Sequence, residues 1–205
     1  MPDDRDPDPS SGSEAAELHE LLRRAARGDS DAWRAVVAAV APRVFGLMRA
    51  QCRDPELAEE ITQSTFCTLA AKIGEYVESG RFESWVFRIA MNRLRDEMRR
   101  RARHARTMDS EPMQAMAEPE VRRGSRAADP ELRDQLSRAM ARLPEADREI
   151  IELRHTGGMS FKALSDYYEE PVGTLLARHH RALRKLRAIL EDLGVRADDA
   201  EGVES

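Results

Sequence analysis

The chain has 205 residues, of which 35% are charged and only 5% aromatic, so any domain that it forms can bury only a small core. Alanine, leucine, arginine and glutamate dominate, and strand-like runs of valine, isoleucine and threonine are missing, which predicts an all-α fold. The net charge of −5 does not exclude a nucleic-acid partner, because acidic residues gather at both ends while residues 88–106 and 178–187 are densely basic.

Cysteine spacing and hydropathy exclude several other classes of protein. Cys52 and Cys67 stand in no metal-ligand spacing, and we interpret both as buried free thiols. No metal or other cofactor is expected. No apolar run approaches the roughly 20 residues of a membrane span, and the acidic N-terminus lacks the build of a secretion signal. We therefore expect a cytoplasmic protein with no membrane contact of its own.

The N-terminal quarter begins with a polar segment and continues as two helices. Residues 1–13 are interpreted as a disordered acidic tail, and a helix is predicted over residues 14–26. Asp29 or Ser30 then caps a second helix, in which Pro42 predicts a kink or a break. Apolar residues recur on this helix at three- and four-residue steps and form a core-facing stripe of Trp33, Val37, Val40, Val44, Leu47 and Met48.

The Asp54-Pro55 pair predicts the start of a third helix, because an N-cap aspartate is followed by proline at the first helical position. This helix extends to about Lys72. Its inward side carries Leu57, Ile61 and Leu69. Its other side presents polar residues, namely Glu59, Glu60, Thr62 and Gln63. A loop follows over residues 74–80.

A fourth helix, predicted over residues 82–103, has two distinct faces at a hundred degrees per residue. The face expected to pack carries Phe82, Trp85, Val86 and Ile89. The almost opposite face, which is suited to a negative partner, carries Arg88, Asn92, Arg95 and Arg99. We interpret Trp85 as a core residue rather than as a platform on which bases stack.

The helical periodicity lapses over residues 105–129, which we interpret as a flexible linker between two domains. Capping residues, prolines and glycines beyond it predict four helices, over residues 131–142, 145–155, 161–168 and 172–193. Residues 194–205 form a second acidic tail. One domain is therefore expected over residues 14–104 and the other over residues 130–193.

The last two helices, joined by a tight turn, predict a helix-turn-helix whose second helix is basic. The inward side of that helix carries Leu175, His179, Ala182, Leu186 and Ile189. If it enters the major groove N-terminal end first, the residues nearest the bases are Thr174, Leu176, Ala177 and Arg178, with His180 beside them. The residues over the phosphates are Arg181, Arg184 and Lys185. Two basic surfaces on one tethered chain predict a protein that reads two separated DNA segments.

Four segments carry a resemblance to a known family. They are DPELAEEITQSTF (residues 54–66), RFESWVFRIAMNRLRDEMRRRAR (81–103), LPEADREIIELRH (143–155) and EPVGTLLARHHRALRKLR (170–187). In this order and spacing the chain resembles the extracytoplasmic-function sigma factors of bacterial RNA polymerase, over roughly residues 18–193. The resemblance implies a region-two-like domain before the linker and a region-four-like domain after it.

The resemblance also implies partners and roles for the candidate residues. The third helix would dock on the clamp helices of the polymerase's largest subunit through Glu59, Glu60, Thr62, Gln63 and Phe66. The fourth helix and the loop before it would bind the minus-ten element and hold a flipped base, through Arg88, Asn92, Arg95, Asp96 and Arg99. The helix-turn-helix would read the minus-thirty-five element through Thr174, Leu176, Ala177, Arg178, His180, Arg181 and Lys185. Further partners would be the flap of the second-largest subunit and an anti-sigma factor.

The chain departs from the family's pattern at three places. Ser64 stands where an acidic residue is usual, and residues 163–165 are Ala-Leu-Ser in place of Glu-Ile-Ala, which removes the capping-box partner of Ser160. Leu176 and Ala177 replace a basic residue and a serine on the reading helix. Arginine reads guanine, whereas leucine offers only apolar contact, for instance to a thymine methyl group. We therefore predict an unusual minus-thirty-five sequence or a weaker dependence on that element.

Three other functions account for less of the sequence. A stand-alone helix-turn-helix regulator that never joins the polymerase leaves the surface of Glu59, Glu60 and Gln63 unexplained. An enzyme needs a nucleophile–base pair, a phosphate-binding glycine loop or a metal cluster, and we assign no catalytic residue. A helical interaction protein would have no use for two arginine-rich faces.

Overall fold

The structure is a computed structural model that describes residues 9–77, 79–108 and 130–195. These residues form eight α-helices and one short 3-10 turn, and no strand occurs among them, which confirms the predicted all-α class. The chain divides into two compact units, the first ending at Met108. Most of the predicted linker and both predicted tails, at residues 109–129, 1–8 and 196–205, lie outside the described residues.

The first unit contains four helices, α1 (Pro9–Ala26), α2 (Ser30–Cys52), α3 (Pro55–Lys72) and α4 (Phe82–Met108), with the 3-10 turn (Ile73–Glu75) directly after α3. Helix α2 packs against α1, α3 and α4, and α3 also packs against α4. The core of this unit includes Val40, Leu47, Leu57, Leu69 and Phe87. Burial of these apolar side chains between α2, α3 and α4 fixes the position of the candidate surfaces on α3 and α4.

Aspartates begin helices α2 and α3, as the sequence predicts. Asp29 Oδ1 accepts hydrogen bonds from the backbone N–H groups of Asp31 and Ala32, both at 3.0 Å. Asp54 Oδ1 does the same at the start of α3, with two backbone N–H groups at 3.1 Å. Arg53 takes the left-handed conformation, with a φ of 56°, which ends α2 and turns the chain directly into α3.

Three expectations for this unit are wrong. Helix α1 begins at Pro9, so residues 9–13 are helical instead of disordered, because a nucleated helix extends at little cost. Helix α4 continues to Met108, into the segment expected to be linker. Of the kink or break expected at Pro42, the break is wrong, because helix α2 runs through this residue. The proline removes a single N–H, and both it and Ala38, four residues earlier, are exposed to water.

The buried side of α2 differs in part from the expected stripe. Its C-terminal part is as expected, with Val40, Val44, Leu47 and Met48 buried. In its N-terminal part the buried residues are Ala32 and Val36, each one position before the expected Trp33 and Val37, which are half-buried. The helix turns slightly relative to the expectation because it packs against α1 as well as α3.

By length and composition alone, α2 is apolar enough to cross a membrane, which the sequence analysis did not expect. Core helices of globular proteins meet the same criterion, and α2 packs on three other helices of its unit. Arg43 Nη1 on α2 also donates to Glu83 Oε1 on α4 at 2.6 Å, which is a charged contact at the edge of the hydrophobic core. The packing of α2 is therefore that of a core helix.

The second unit contains α5 (Pro130–Arg142), α6 (Glu145–His155), α7 (Phe161–Tyr168) and α8 (Val172–Asp192), close to the predicted bounds. Helix α8 packs against α5, α6 and α7. The core includes Leu143, Ile150, Leu153, Leu164, Leu175, Ala182 and Leu186. Ser160 Oγ accepts a hydrogen bond from the Ala163 backbone N–H at 3.0 Å, so α7 keeps its N-cap without a capping-box glutamate.

Candidate nucleic-acid interface

Helix α3 presents a polar surface whose members are all exposed, namely Glu59, Glu60 and Gln63. Gln63 Nε2 donates a hydrogen bond to Glu59 Oε1 at 3.1 Å, which joins two of the side chains across one helical turn. A groove beside this surface runs between α3 and α4. Its lining includes Glu60, Ser64, Arg93, Glu97, Arg100 and Arg103. The polar surface of α3 thus offers carboxylates and an amide to a partner next to a groove of mixed charge.

Thr62 and Phe66, predicted for the same surface, are buried instead. Thr62 Oγ1 donates to the Ala58 carbonyl at 2.7 Å, and the Phe66 ring centre lies 6.3 Å from that of Trp33. Their expected place at the exposed surface is wrong, because α3 packs against both α2 and α4 and a wide side of the helix is covered. Thr62 and Phe66 therefore position the polar surface of α3 rather than belong to it. Their part in binding core polymerase stays a prediction.

Most of the predicted basic face of α4 lies at the surface. Asn92, Asp96 and Arg99 are exposed, and Arg88 and Arg95 are half-buried. Arg99 forms an ion pair with Asp96 on its own helix. Farther along, Glu97 accepts hydrogen bonds from Arg100 and Arg101, and these bonds, that from Arg100 first, lower the pKa of Glu97. The basic face therefore includes carboxylates that already hold some of the arginines.

The buried side of α4 matches the prediction only in part. Phe82 and Val86 are buried as predicted, and the other core residues are Phe87, Ala90, Met91 and Leu94. Trp85 and Ile89, expected to pack inward, are only half-buried. The difference arises because α4 lies across α2 and α3, and its buried side is set by that contact rather than by its most apolar side.

An aromatic cluster stands at the N-terminal end of α4. The rings of Tyr76 and Trp85 stack in parallel, with centres 4.9 Å apart and an angle of 2° between their planes. Phe82 meets both rings edge-on, at 5.7 Å from Tyr76 and 6.1 Å from Trp85. Val77, next in the loop, is 82% exposed. Tyr76 is not among the residues predicted from the sequence, although three of the ten aromatic residues of the chain fall between positions 76 and 85.

The exposed side of α8 collects most residues predicted for the minus-thirty-five element. Thr174, Leu176, Ala177, His180, Arg181 and Lys185 are exposed, and Arg178 is half-buried. Val172 in the first turn is also exposed, at 44%. Leu175, Ala182 and Leu186 are buried as predicted, and Ile189 is half-buried. The N-terminal end of the helix therefore presents a partly apolar surface, followed by arginines and a lysine.

Two cations of α8 are bound to other elements of the second unit. Arg178 Nη2 lies 2.7 Å and 2.8 Å from the two carboxylate oxygens of Glu170, in the turn before α8. Lys185 Nζ donates to Asp147 on α6. Arg181, which lies between them in the sequence, is exposed.

His155 and His179 form a pair between α6 and α8. Their Nε2 atoms are 3.0 Å apart, so that one ring donates a hydrogen bond to the other, and Phe161 meets His179 edge-on at 5.4 Å. Burial, followed by the nearby His155, His180 and Arg154, lowers the pKa of His179 to about 4. The sequence predicts that His179 packs inward, as it does, but 24 residues separate the two histidines and no spacing rule connects them.

The cysteines differ from their interpretation as buried thiols. Cys67 is exposed, and Cys52 is half-buried, with its Sγ donating to the Asp54 carbonyl at 3.2 Å. Within the described ranges, no group of three or more His, Cys, Asp or Glu side chains could hold a metal ion.

Sequence comparisons place both units in one family. Residues 36–104 match Sigma-70 region 2, and residues 139–188 match Sigma-70, region 4. The RNA polymerase sigma factor CarQ of Myxococcus xanthus is 31% identical over 172 residues, which covers 84% of this chain and 97% of CarQ. The ECF RNA polymerase sigma factor SigW of Bacillus subtilis is 25% identical over 187 residues, covering 86% and 98%.

Solved structures share the fold. A sigma factor RpoE, in complex with the anti-sigma factor NepR from Bartonella quintana, is similar with a TM-score of 0.61 and 23% identity, over 77% of this chain and 96% of RpoE. CnrH, in complex with the cytosolic domain of CnrY, gives a TM-score of 0.62 and 22% identity, over 86% and 98%. The two region matches together span more than half of the residues. The chain therefore belongs to the RNA polymerase sigma factors, in the extracytoplasmic-function group.

Proposed function

We propose that this sigma factor works through three surfaces, which are the polar surface of α3, the basic face of α4 and the exposed side of α8. The first binds core RNA polymerase, the second the minus-ten element and the third the minus-thirty-five element. The observation that carries this proposal is that each unit presents one arginine-rich helix, while α3 presents exposed carboxylates and an amide.

The polymerase contact is assigned to Glu59, Glu60 and Gln63, against the clamp helices of the largest subunit. All three are exposed, so a basic partner can reach them without any change in the packing of α3. Thr62 and Phe66 support this contact from within, because they fix α3 against its neighbours. The flap of the second-largest subunit is the proposed second contact of the chain.

The minus-ten contact is assigned to Arg88, Asn92, Arg95 and Arg99. Arginines on one helix face attract phosphates, and single strands are commonly held by a positive groove together with aromatic rings on which bases stack. The stack of Tyr76 on Trp85 lies at the start of the same helix and is a suitable edge for an unpaired base. Asp96 lowers the local positive charge and holds Arg99.

The minus-thirty-five contact is assigned to α8, inserted N-terminal end first into the major groove. Thr174, Leu176, Ala177 and His180 would face the base edges, and Arg178, Arg181 and Lys185 would supply charge. Because Leu176 and Ala177 replace polar readers, we propose that the preferred minus-thirty-five sequence is unusual.

The protein acts by binding alone, in the cytoplasm, and needs no cofactor in this proposal. An anti-sigma factor is a proposed further partner. The sigma factor RpoE, of similar fold, was solved in complex with the anti-sigma factor NepR, and CnrH, also of similar fold, with the cytosolic domain of CnrY. This similarity supports a partner of that class without indicating where it would bind.

Charge reversal on α3 tests the polymerase contact. The double variant Glu59→Lys with Glu60→Lys is expected to bind core polymerase about 100-fold more weakly, because attraction becomes repulsion. Co-purification with core polymerase and a titration of labelled protein measure the loss. Glu75→Lys, an exposed reversal outside α3, is the matched control and is expected to bind like the native chain. Native affinity in the double variant would contradict the assignment, and no association by the native chain would favour a stand-alone regulator.

A further inference from the structure

We propose that Glu170 sets the sequence preference of α8, by holding Arg178 away from the bases and leaving an apolar turn, formed by Val172 and Leu176, to contact thymine methyl groups. This inference rests on the proposed reading of the minus-thirty-five element by α8. Glu170 is a positioning residue, since it acts on DNA recognition through Arg178.

Glu170 binds one nitrogen of the Arg178 guanidinium, and one face of the guanidinium lies over the Tyr168 ring. Its Nη2 atom lies within 2.8 Å of both carboxylate oxygens of Glu170, and its central carbon lies 5.4 Å from the centre of the Tyr168 ring. The side chains of Arg178 and Glu170 are 27% and 33% exposed, so water screens this pair less than a fully exposed one. Reading guanine requires arginine to turn two N–H groups towards O6 and N7, and here Glu170 holds the Nη2 nitrogen that would supply one of them.

The backbone of the turn keeps Glu170 in this position. Ser165 Oγ on α7 donates to the Glu170 carbonyl at 2.6 Å, and Glu169 takes the left-handed conformation with a φ of 59°. Ser165 is one of the residues at which the chain departs from the family's pattern. Pro171 follows with its restricted φ and leads directly into α8. The carboxylate of Glu170 is therefore directed by a bonded turn and not by a freely moving loop.

The first turn of α8 is apolar at the end that would meet the bases. Val172 is 44% exposed and Leu176, one turn later on the same side, is 40% exposed. Ala177 is exposed next to them, and the space around Gly173 is open. The apolar group that base edges present in the major groove is the C5-methyl group of thymine. Val172, Leu176 and Ala177 therefore fit A·T pairs and offer no side-chain donor to guanine.

Arginines farther along α8 strengthen DNA binding without selecting a sequence. Arg181 and Arg184 are exposed two to three turns from the N-terminal end of α8, where they would meet phosphates. Phosphate contacts strengthen binding to every sequence equally, so they do not set the preference. The preference then depends on Val172, Leu176 and the state of Arg178.

The test uses holoenzyme reconstituted from the full chain and core polymerase, on promoters whose minus-thirty-five region is randomised. The native protein is expected to enrich thymine. Glu170→Gln, which removes the charge that holds Arg178, is expected to add a guanine preference of at least about fivefold at one position. Glu169→Gln removes the same charge one residue earlier and is expected to leave the selection unchanged, which makes it the matched control.

A second measurement uses the native protein and does not depend on how a variant folds. Replacing the selected thymines by deoxyuridine removes only their methyl groups and is expected to weaken holoenzyme binding about fourfold for each buried methyl. Leu176→Ala is expected to be much less sensitive to the same replacement. Equal native binding to thymine and deoxyuridine, or a native guanine preference that Arg178→Ala abolishes, would overturn the inference while initiation continued. Failure to initiate on any template would instead overturn the proposed function.

Discussion

The basic side chains on the candidate nucleic-acid surfaces form different kinds of ion pair in the two units. On α4, Arg99 pairs with Asp96 three residues earlier on the same helix, and both side chains are about 70% exposed, at 70% and 71%. On α8, Arg178 pairs with Glu170 in the preceding turn, and the two side chains are 27% and 33% exposed. Lys185 reaches across to Asp147 on α6, whose side chain is 12% exposed.

This difference indicates how easily each surface can exchange its partners. An exposed pair between neighbours on one helix contributes at most a few tenths of a kcal/mol, so a phosphate can replace Asp96 readily. A less exposed pair between elements also fixes the tertiary structure, and breaking it leaves a partly buried carboxylate without its cation. We infer that the ion pairs on the face of α4 exchange partners when DNA binds, whereas those on the surface of α8 are already fixed in the free protein.

The largest expected difference between the units is their response to acid. The pKa of His179 is lowered to about 4, chiefly by burial, whereas a histidine in an unfolded chain has a pKa of about 6.5. The unfolded chain therefore binds a proton that the folded unit resists. Stability of the second unit is complete above about pH 6.5 and falls as the pH drops to about 4, by about 3 kcal/mol in total.

Hydrogen exchange of the full chain, followed separately in each unit, measures this loss. Burial also lowers the pKa of His155, so His179→Leu removes one of two titrating histidines and is expected to reduce the response of the second unit. In the first unit the N-cap carboxylates of Asp29 and Asp54 have lowered pKa values, chiefly because backbone N–H groups bond to them, so their contribution is lost only below about pH 4. An equal loss in both units between pH 6.5 and 4 would contradict the assignment to His179.

A smaller effect is expected from the charges on α4. Arg95→Ala and Arg99→Ala are each expected to weaken binding of holoenzyme to single-stranded minus-ten DNA about threefold, because each removes one positive charge from the basic face of α4. Asp96→Asn is expected to strengthen binding about twofold by releasing Arg99. Fluorescence anisotropy at two salt concentrations measures all three. Weaker binding by Asp96→Asn would show that Asp96 itself contacts the DNA.

The smallest effects are expected for a backbone conformation that occurs in both units. Arg53 and Glu169 each turn the chain between helices with a positive φ, of 56° and 59°. Glycine adopts this conformation without the steric penalty of a Cβ, so Arg53→Gly and Glu169→Gly are each expected to stabilise their unit by about 1 kcal/mol. Chemical denaturation measures the change. Glu56→Gly, inside α3, is the contrasting control and should destabilise by about 1 kcal/mol.

Local signals predicted the bounds of most helices better than they predicted which side chains are buried. Asp54-Pro55 and Ser160 marked helix starts correctly, because an N-cap depends on residues within one turn. The start of α1 and the end of α4 were placed too far inward, since neither end carries a strong capping or breaking signal. Thr62 and Phe66 were placed at the surface because the coverage of α3 depends on how α2 and α4 cross it, which periodicity on one helix does not contain.

The candidate surfaces were predicted as sets of residues, and their internal pairs were not. Most members of the predicted sets on α4 and α8 lie at the surface, as amphipathic spacing implies. The pairs of Arg178 with Glu170 and of His155 with His179 join residues 8 and 24 positions apart, across a turn or between helices. Such contacts follow from tertiary packing, and they carry the specific chemistry inferred for the second unit.

Run-off transcription by core polymerase, with and without the full-length chain, on a library of upstream regions tests the central claim most directly. We expect the chain to produce discrete transcripts from a subset of templates, and the variant carrying Glu59→Lys and Glu60→Lys to lose them. Identical transcripts with and without the native chain would contradict its role as a sigma factor that directs initiation through these surfaces.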